Sequence, residues 1–121
     1  MKNLIYAYIL FILFDSPWLF ITKPYWNQIA QRNITLSMYA LLAYIALAVS
    51  IVYIAEPLSK YYKSNVIAGI LTGFVIYFCF DMTNLAIFGS EKYPLSLAIG
   101  DTLWGMLVTT LVLIVYKKLF V

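Results

Sequence analysis

Three aspartates stand inside apolar runs of this 121-residue chain: Asp15 in Leu13-Phe14-Asp15-Ser16-Pro17-Trp18, Asp81 in Cys79-Phe80-Asp81-Met82-Thr83-Asn84, and Asp101 in Gly100-Asp101-Thr102-Leu103-Trp104-Gly105. A carboxylate in such a setting must be protonated, paired or hydrated, and an ionisable group at membrane depth is a functional candidate by default. Their company is polar or aromatic. Tyr77 lies four residues before Asp81 and Asn84 three after it, so all three share one helix face. Thr83 adds a hydroxyl. Trp18 follows Asp15 by three residues, and Trp104 follows Asp101 by three. No Lys or Arg stands beside these carboxylates in the apolar runs.

Three chemistries suit this set. Asp15, Asp81, Asn84 and Asp101 can form a binding site or a proton relay, with Tyr77, Thr83, Trp18 and Trp104 around it. The oxygens of Asp15, Asp81 and Asp101 are also the ligand type of a hard cation such as Mg²⁺, Ca²⁺ or Na⁺. The same carboxyls can act as acid and base on a lipid-soluble substrate. A structural alternative stands beside these readings, in which each aspartate has its own separate partner. Asp15 then caps the helix after Pro17. Asp81 and Asn84 bond across helices, and Asp101 bonds Thr102, Trp104 or backbone. Trp and Tyr near membrane interfaces are expected as packing or as an aromatic belt.

The elements that position these residues are four apolar segments, over residues 4–22, 36–55, 66–88 and 95–116. Each approaches the roughly 20 residues that cross a hydrocarbon core. Backbone groups cannot be left open in lipid, so the segments are helices. The fold class is therefore all-α, an integral membrane four-helix bundle in one domain. No small-residue cleavage site follows the first segment, which is read as a retained helix. Ser16-Pro17 predicts a kink or a short break at Asp15. Lys23 to Asn33 predicts an interfacial turn or short helix, Glu56-Pro57 the end of the second helix, and Gly89 to Pro94 a tight turn. Counting from the expected helix ends, all three aspartates lie about 10 Å below one surface.

Composition agrees with a hydrocarbon solvent. Hydrophobic residues make up 64% and charged residues 11%, against about 25% charged in a soluble domain. Mean hydropathy is +0.91. The net charge of +3 is scattered, and with no basic run nothing supports a nucleic-acid partner. Histidine is absent, which removes the commonest general base and transition-metal ligand. The single Cys79 excludes an intrachain disulfide. With four spans the termini share a side, which holds Lys2, Lys60, Lys63, Lys117 and Lys118 against Lys23, Arg32 and Lys92 on the other. The richer side is expected to be cytoplasmic. Gly69 and Gly73, and the stripe Ala43, Ala46 and Ser50, let helices approach closely, within one protomer or between protomers.

Several segments resemble a family of small bacterial and viral membrane proteins, domain of unknown function 2177. The likeness covers nearly the whole chain. It rests on Asp15 with Trp18-Leu19, on Lys23-Pro24-Tyr25, on Phe80-Asp81-Met82-Thr83-Asn84-Leu85-Ala86, and on Asp101-Thr102-Leu103-Trp104-Gly105. The family pattern has Tyr in place of Phe80 and Trp-Pro in place of Tyr93-Pro94. The resemblance implies four spans and a single family feature containing Asp15, Asp81, Asn84 and Asp101. It implies no activity.

The leading functional expectation is a transporter or channel for protons, cations or a small solute, with the lipid bilayer as its surroundings. Four helices are too few for a wide pathway, so transport implies a homodimer or larger oligomer, with Gly69 and Gly73 as contact points. The alternatives are a membrane-embedded enzyme acting on a lipid or isoprenoid, and a structural or accessory subunit.

Overall fold

In a computed structural model the described residues are 3–35 and 37–121. Lys2 of the charge count and Leu36, where the second segment was expected to begin, lie outside them. The elements are α1 (Leu4–Ala30), α2 (Met38–Val49), a π-helical segment (Ser50–Ala55), α3 (Glu56–Tyr62), α4 (Asn65–Lys92) and α5 (Leu95–Phe120). The second span runs unbroken through α2, the π segment and α3, so four helical rods result, of 27, 25, 28 and 26 residues. At 1.5 Å per residue each is about 40 Å long, enough to cross a hydrocarbon core of about 30 Å and reach beyond it. Leu13, Phe20, Val75 and Leu103 are among the apolar side chains facing outward, as a lipid-exposed bundle requires. The chain is an integral, multi-pass membrane protein.

The helices run past most of the expected stops. α1 does not break at Asp15 and does not end near Thr22; Pro17 and Pro24 both lie inside it. Each proline removes one backbone donor, and in an apolar medium nearby hydroxyls take over part of the bonding. Ser16 Oγ donates to the Ile12 carbonyl at 2.5 Å, and Thr22 Oγ1 to the Trp18 carbonyl at 2.8 Å. Glu56-Pro57 does not end the second span either. The π segment lies immediately before it, and the Glu56 amide bonds the Ile51 carbonyl, five residues back. This wider turn carries the helix into Pro57. α4 reaches Lys92 by way of Gly89, at φ 77° and ψ 160°, a conformation open to glycine alone.

The start of α1 meets the end of α5 at one end of the bundle. The Asn3 amide donates to the Tyr116 hydroxyl, and the Tyr6 and Phe120 rings stack at 4.3 Å. At this end Lys117 Nζ donates to Ser59 Oγ at 2.9 Å and to Asn65 Oδ1 at 2.8 Å, tying α3, α4 and α5 together.

α4 and α5 form the tightest seam. A methyl group on Gly73 would fall 2.4 Å from the Gly105 carbonyl oxygen, and one on Gly69 would fall 2.5 Å from the Thr110 Cα. The small residues considered as dimer contacts therefore pack inside the protomer. By contrast, a methyl group on Gly100 meets only the Trp18 ring, at 3.7 Å. Gly73→Ala is expected to lower stability by about 1–3 kcal/mol through overpacking. Gly100→Ala should be neutral or slightly stabilising through helix propensity. Unfolding midpoints of the two variants in mixed detergent micelles compare them; equal midpoints would count against the seam as described.

Candidate functional site

The three aspartates are buried, at 5%, 0% and 4% exposure for Asp15, Asp81 and Asp101. The first and third are joined by a crossed pair of bonds. Trp18, one turn beyond Asp15 on α1, donates its indole N–H to Asp101 Oδ1 at 2.8 Å. Trp104, one turn beyond Asp101 on α5, donates to Asp15 Oδ1 at 2.8 Å. The two indoles stack between the bonds, 5.4 Å apart and 11° from parallel. Two Asp-x-x-Trp repeats on antiparallel helices thus satisfy each other. Tyr44 of α2 completes Asp15, donating to Oδ2 at 2.6 Å.

Asp81 belongs to the other side of the cluster. It accepts from the Tyr93 hydroxyl at 2.5 Å and from Thr102 Oγ1 at 2.9 Å. Its carboxyl also lies beside that of Asp101. Gly89 makes the Tyr93 bond feasible, because the bend there turns the chain back over α4; the Tyr93 amide closes the bend on the Gly89 carbonyl at 2.9 Å. Burial, reinforced by the bond to Asp81, pushes the Tyr93 phenol above its ordinary range, so it stays a donor.

The crossed bonds set Asp15 beside Trp104 and Asp101 beside Trp18, an offset of one helical turn, about 4.5 Å, between these two acids along the bundle. Among the described residues no three Asp, Glu, Cys or His side chains are grouped as a metal ion would need. Asp15 and Asp81 each have both oxygens facing N–H or O–H donors.

The surrounding residues divide. Trp18 and Trp104 are part of the cluster rather than belt packing. Trp104 bonds Asp15, not the Asp101 of its own helix. Asn84 is half-buried beside the Tyr93 hydroxyl. Thr83 is exposed and takes no part. Tyr77 is 9% exposed, its ring laid on Gly105, where an added methyl would come within 2.0 Å. Its hydroxyl is within electrostatic reach of Asp15, Asp101, Tyr44 and Asp81. Tyr44, Tyr93 and the hydroxyl of Thr102 bonded to Asp81 are the functional candidates that sequence reasoning missed. For Tyr44 a signal existed: with Ala48, Ile51 and Ala55 it continues one inward stripe of the second span.

Beside the cluster lies a cavity of about 480 Å³. Asp15, Asp101, Trp18 and Tyr77 form part of its wall, with Ala40, Ala43 and Ala46 on the α2 side. The space exists because α2 packs on α1 but scarcely meets α4, whereas the π segment and α3 close onto α4. Its rim includes Leu19 and Phe80, exposed at 40% and 50%, so the cavity reaches the outer, lipid-facing side of the bundle.

Trp18→Phe and Trp104→Phe each remove one charge-directed donor and should each cost about 1–3 kcal/mol. Because the indoles share a stack as well as the clasp, the double variant should depart from additivity by about 0.5 kcal/mol or more. A double-mutant cycle on unfolding free energies measures this, and strict additivity would contradict a coupled clasp.

No curated protein and no solved structure matches the chain. A family model described as a predicted membrane protein, domain of unknown function 2177, matches residues 1–116. The match spans the whole clasp and all but the last turn of α5, and the chain belongs to that family.

Proposed function

We propose that this protein is a proton-linked carrier of a small lipophilic solute, which enters the carboxyl cluster from the bilayer. The observation that carries this reading is the 480 Å³ cavity, which runs from the lipid-facing rim to Asp15 and Asp101. Its size lies within the range of roughly 300–1,000 Å³ that small-molecule sites occupy. Its walls are apolar except at the carboxyl end, as suits a solute that partitions into lipid and is oriented by one polar group.

The Asp81–Asp101 contact supports proton linkage. Two carboxyls this close in an apolar setting resist ionising together, which favours a proton held between them. A solute that engages Asp101 competes for that proton, so binding and proton release are thermodynamically linked. A lateral entrance allows one protomer to hold the solute without enclosing an aqueous pore. The Lys and Arg bias supports termini facing the cytoplasm, which would put the cavity in the opposite half of the membrane.

The test uses proteoliposomes containing a trapped pH dye. A panel of lipid-soluble solutes is added, comprising a quaternary ammonium, an alcohol and an organic anion. At least one should move protons across the membrane with the native chain. Asp101→Asn, which keeps the shape and removes the exchangeable carboxyl proton, should lower that flux tenfold or more. Proton movement that is absent for the whole panel, or unchanged in Asp101→Asn, would sink the carrier reading.

A further inference from the structure

We infer that the cavity selects an organic ammonium: a small amine, protonated or quaternary, with apolar substituents. The inference rests on the carrier reading for its setting, but it concerns binding, which is measured separately from transport.

The wall has spare acceptors and almost no spare donors. A carboxylate offers about four acceptor positions. Asp15 uses two, for Tyr44 and Trp104. Asp101 accepts one indole N–H and lies beside the Asp81 carboxyl. Of the lining donors, Trp18 and Tyr44 are consumed by bonds to the acids and Trp26 by Thr22, which leaves the Tyr77 hydroxyl, and no Lys or Arg lines the cavity. An anionic head would meet two carboxyls with nothing to neutralise it. A cationic head would find acceptors and no competing Lys or Arg.

Tyr77 gives independent support. It is a cavity-lining side chain, more than nine-tenths buried, whose hydroxyl has no hydrogen-bond partner among the described residues. A buried phenol normally finds one. Its oxygen stands among the carboxyls and can accept an N–H from a bound amine. The aromatic faces complete the recognition, since Trp18, Trp26, Tyr44 and Tyr77 all line the space. Ammonium groups are attracted to such faces, and tryptophan is the strongest of them. Desolvation inside a bundle strengthens both attractions. The opposite wall of Ala40, Ala43 and Ala46 offers only methyl groups, which suits hydrocarbon substituents.

The test measures binding to the full chain in lipid nanodiscs, by equilibrium dialysis and by quenching of tryptophan fluorescence. The probes are benzyltrimethylammonium, its uncharged carbon isostere neopentylbenzene, benzylammonium and Mg²⁺. Both ammonium probes should bind in preference to neopentylbenzene, after correction for its partition into lipid. Asp15→Asn and Asp101→Asn should each weaken them about tenfold or more, the loss of one bond to a charged group. Tyr77→Phe should weaken benzylammonium more than benzyltrimethylammonium, because only the former has an N–H to donate. Ala43→Leu fills the cavity from the half-open α2 side without touching a carboxyl, so it should block binding while the fold survives. Equal binding of neopentylbenzene, binding of Mg²⁺ alone, or ammonium binding that ignores Ala43→Leu would each overturn the inference. Ammonium binding without proton movement would uphold it and refute the carrier.

Discussion

A carboxyl group inside hydrocarbon must be surrounded by donors, or its burial is too costly to sustain, and the bundle is arranged to meet that demand for three of them. The solution for Asp15 and Asp101 is reciprocal. Each helix supplies an acid and, one turn later, an indole, and the antiparallel pairing of α1 and α5 brings each acid to the other's indole. The clasp fixes the register of these two helices, because a shift of one residue would remove both bonds together. It also explains why two prolines are tolerated in α1. Pro17 lies between Asp15 and Trp18, and the helix is held there by tertiary bonds on both sides. Packing dispersion alone, the usual attraction between helices in lipid, has no such directional content.

The second constraint is steric. Gly69, Gly73 and Gly105 bring α4 against α5, so the Tyr77 ring lies flat on a backbone that carries no side chain. This contact puts Asp81 within reach of Thr102 and Asp101, which then form the second half of the cluster. The intimacy of this seam contrasts with the looseness between α2 and α4. The second span approaches α1 first and α4 only after its π-helical segment, leaving the cavity in between. Thus the same bundle buries all three acids and leaves two of them, Asp15 and Asp101, at the wall of a space that opens toward lipid.

Much of this was legible in the sequence, for identifiable reasons. Hydropathy marks four spans because every lipid-facing residue must be apolar, and four is what the helices show. The Asp-x-x-Trp spacing was visible on both helices, as were the small residues of the α4–α5 seam. Crossed pairing was not legible, because a sequence does not disclose which indole reaches which acid. The span ends were missed because proline and glycine were read as stops. In lipid the cost of freeing backbone groups favours continuing the helix, so Pro24 and Pro57 lie within spans, and Gly89 bends α4 without ending it. Tyr93 followed from that error. Read as part of a surface turn, it is in fact fully buried and bonded to Asp81, twelve residues earlier.

Tyr77 and Tyr93 show how two chemically identical groups acquire different roles from their surroundings. Both are buried near the same carboxyls. Tyr93 comes from beyond the Gly89 bend and finds Asp81 at 2.5 Å, so its proton is committed. Tyr77 is held by its ring on Gly105, and that packing fixes where the hydroxyl stands before any hydrogen bond is considered. The nearby acids take their bonds from Tyr44, Trp104 and Trp18, and the ring packing leaves the phenol at the cavity wall without one. A hydroxyl without a partner at the cavity wall is a group that an occupant could bond. The stability of the clasp and the availability of Tyr77 are therefore two consequences of one arrangement: donors are supplied across helices to the acids, and the remaining polar group is turned toward the space that α2 leaves open.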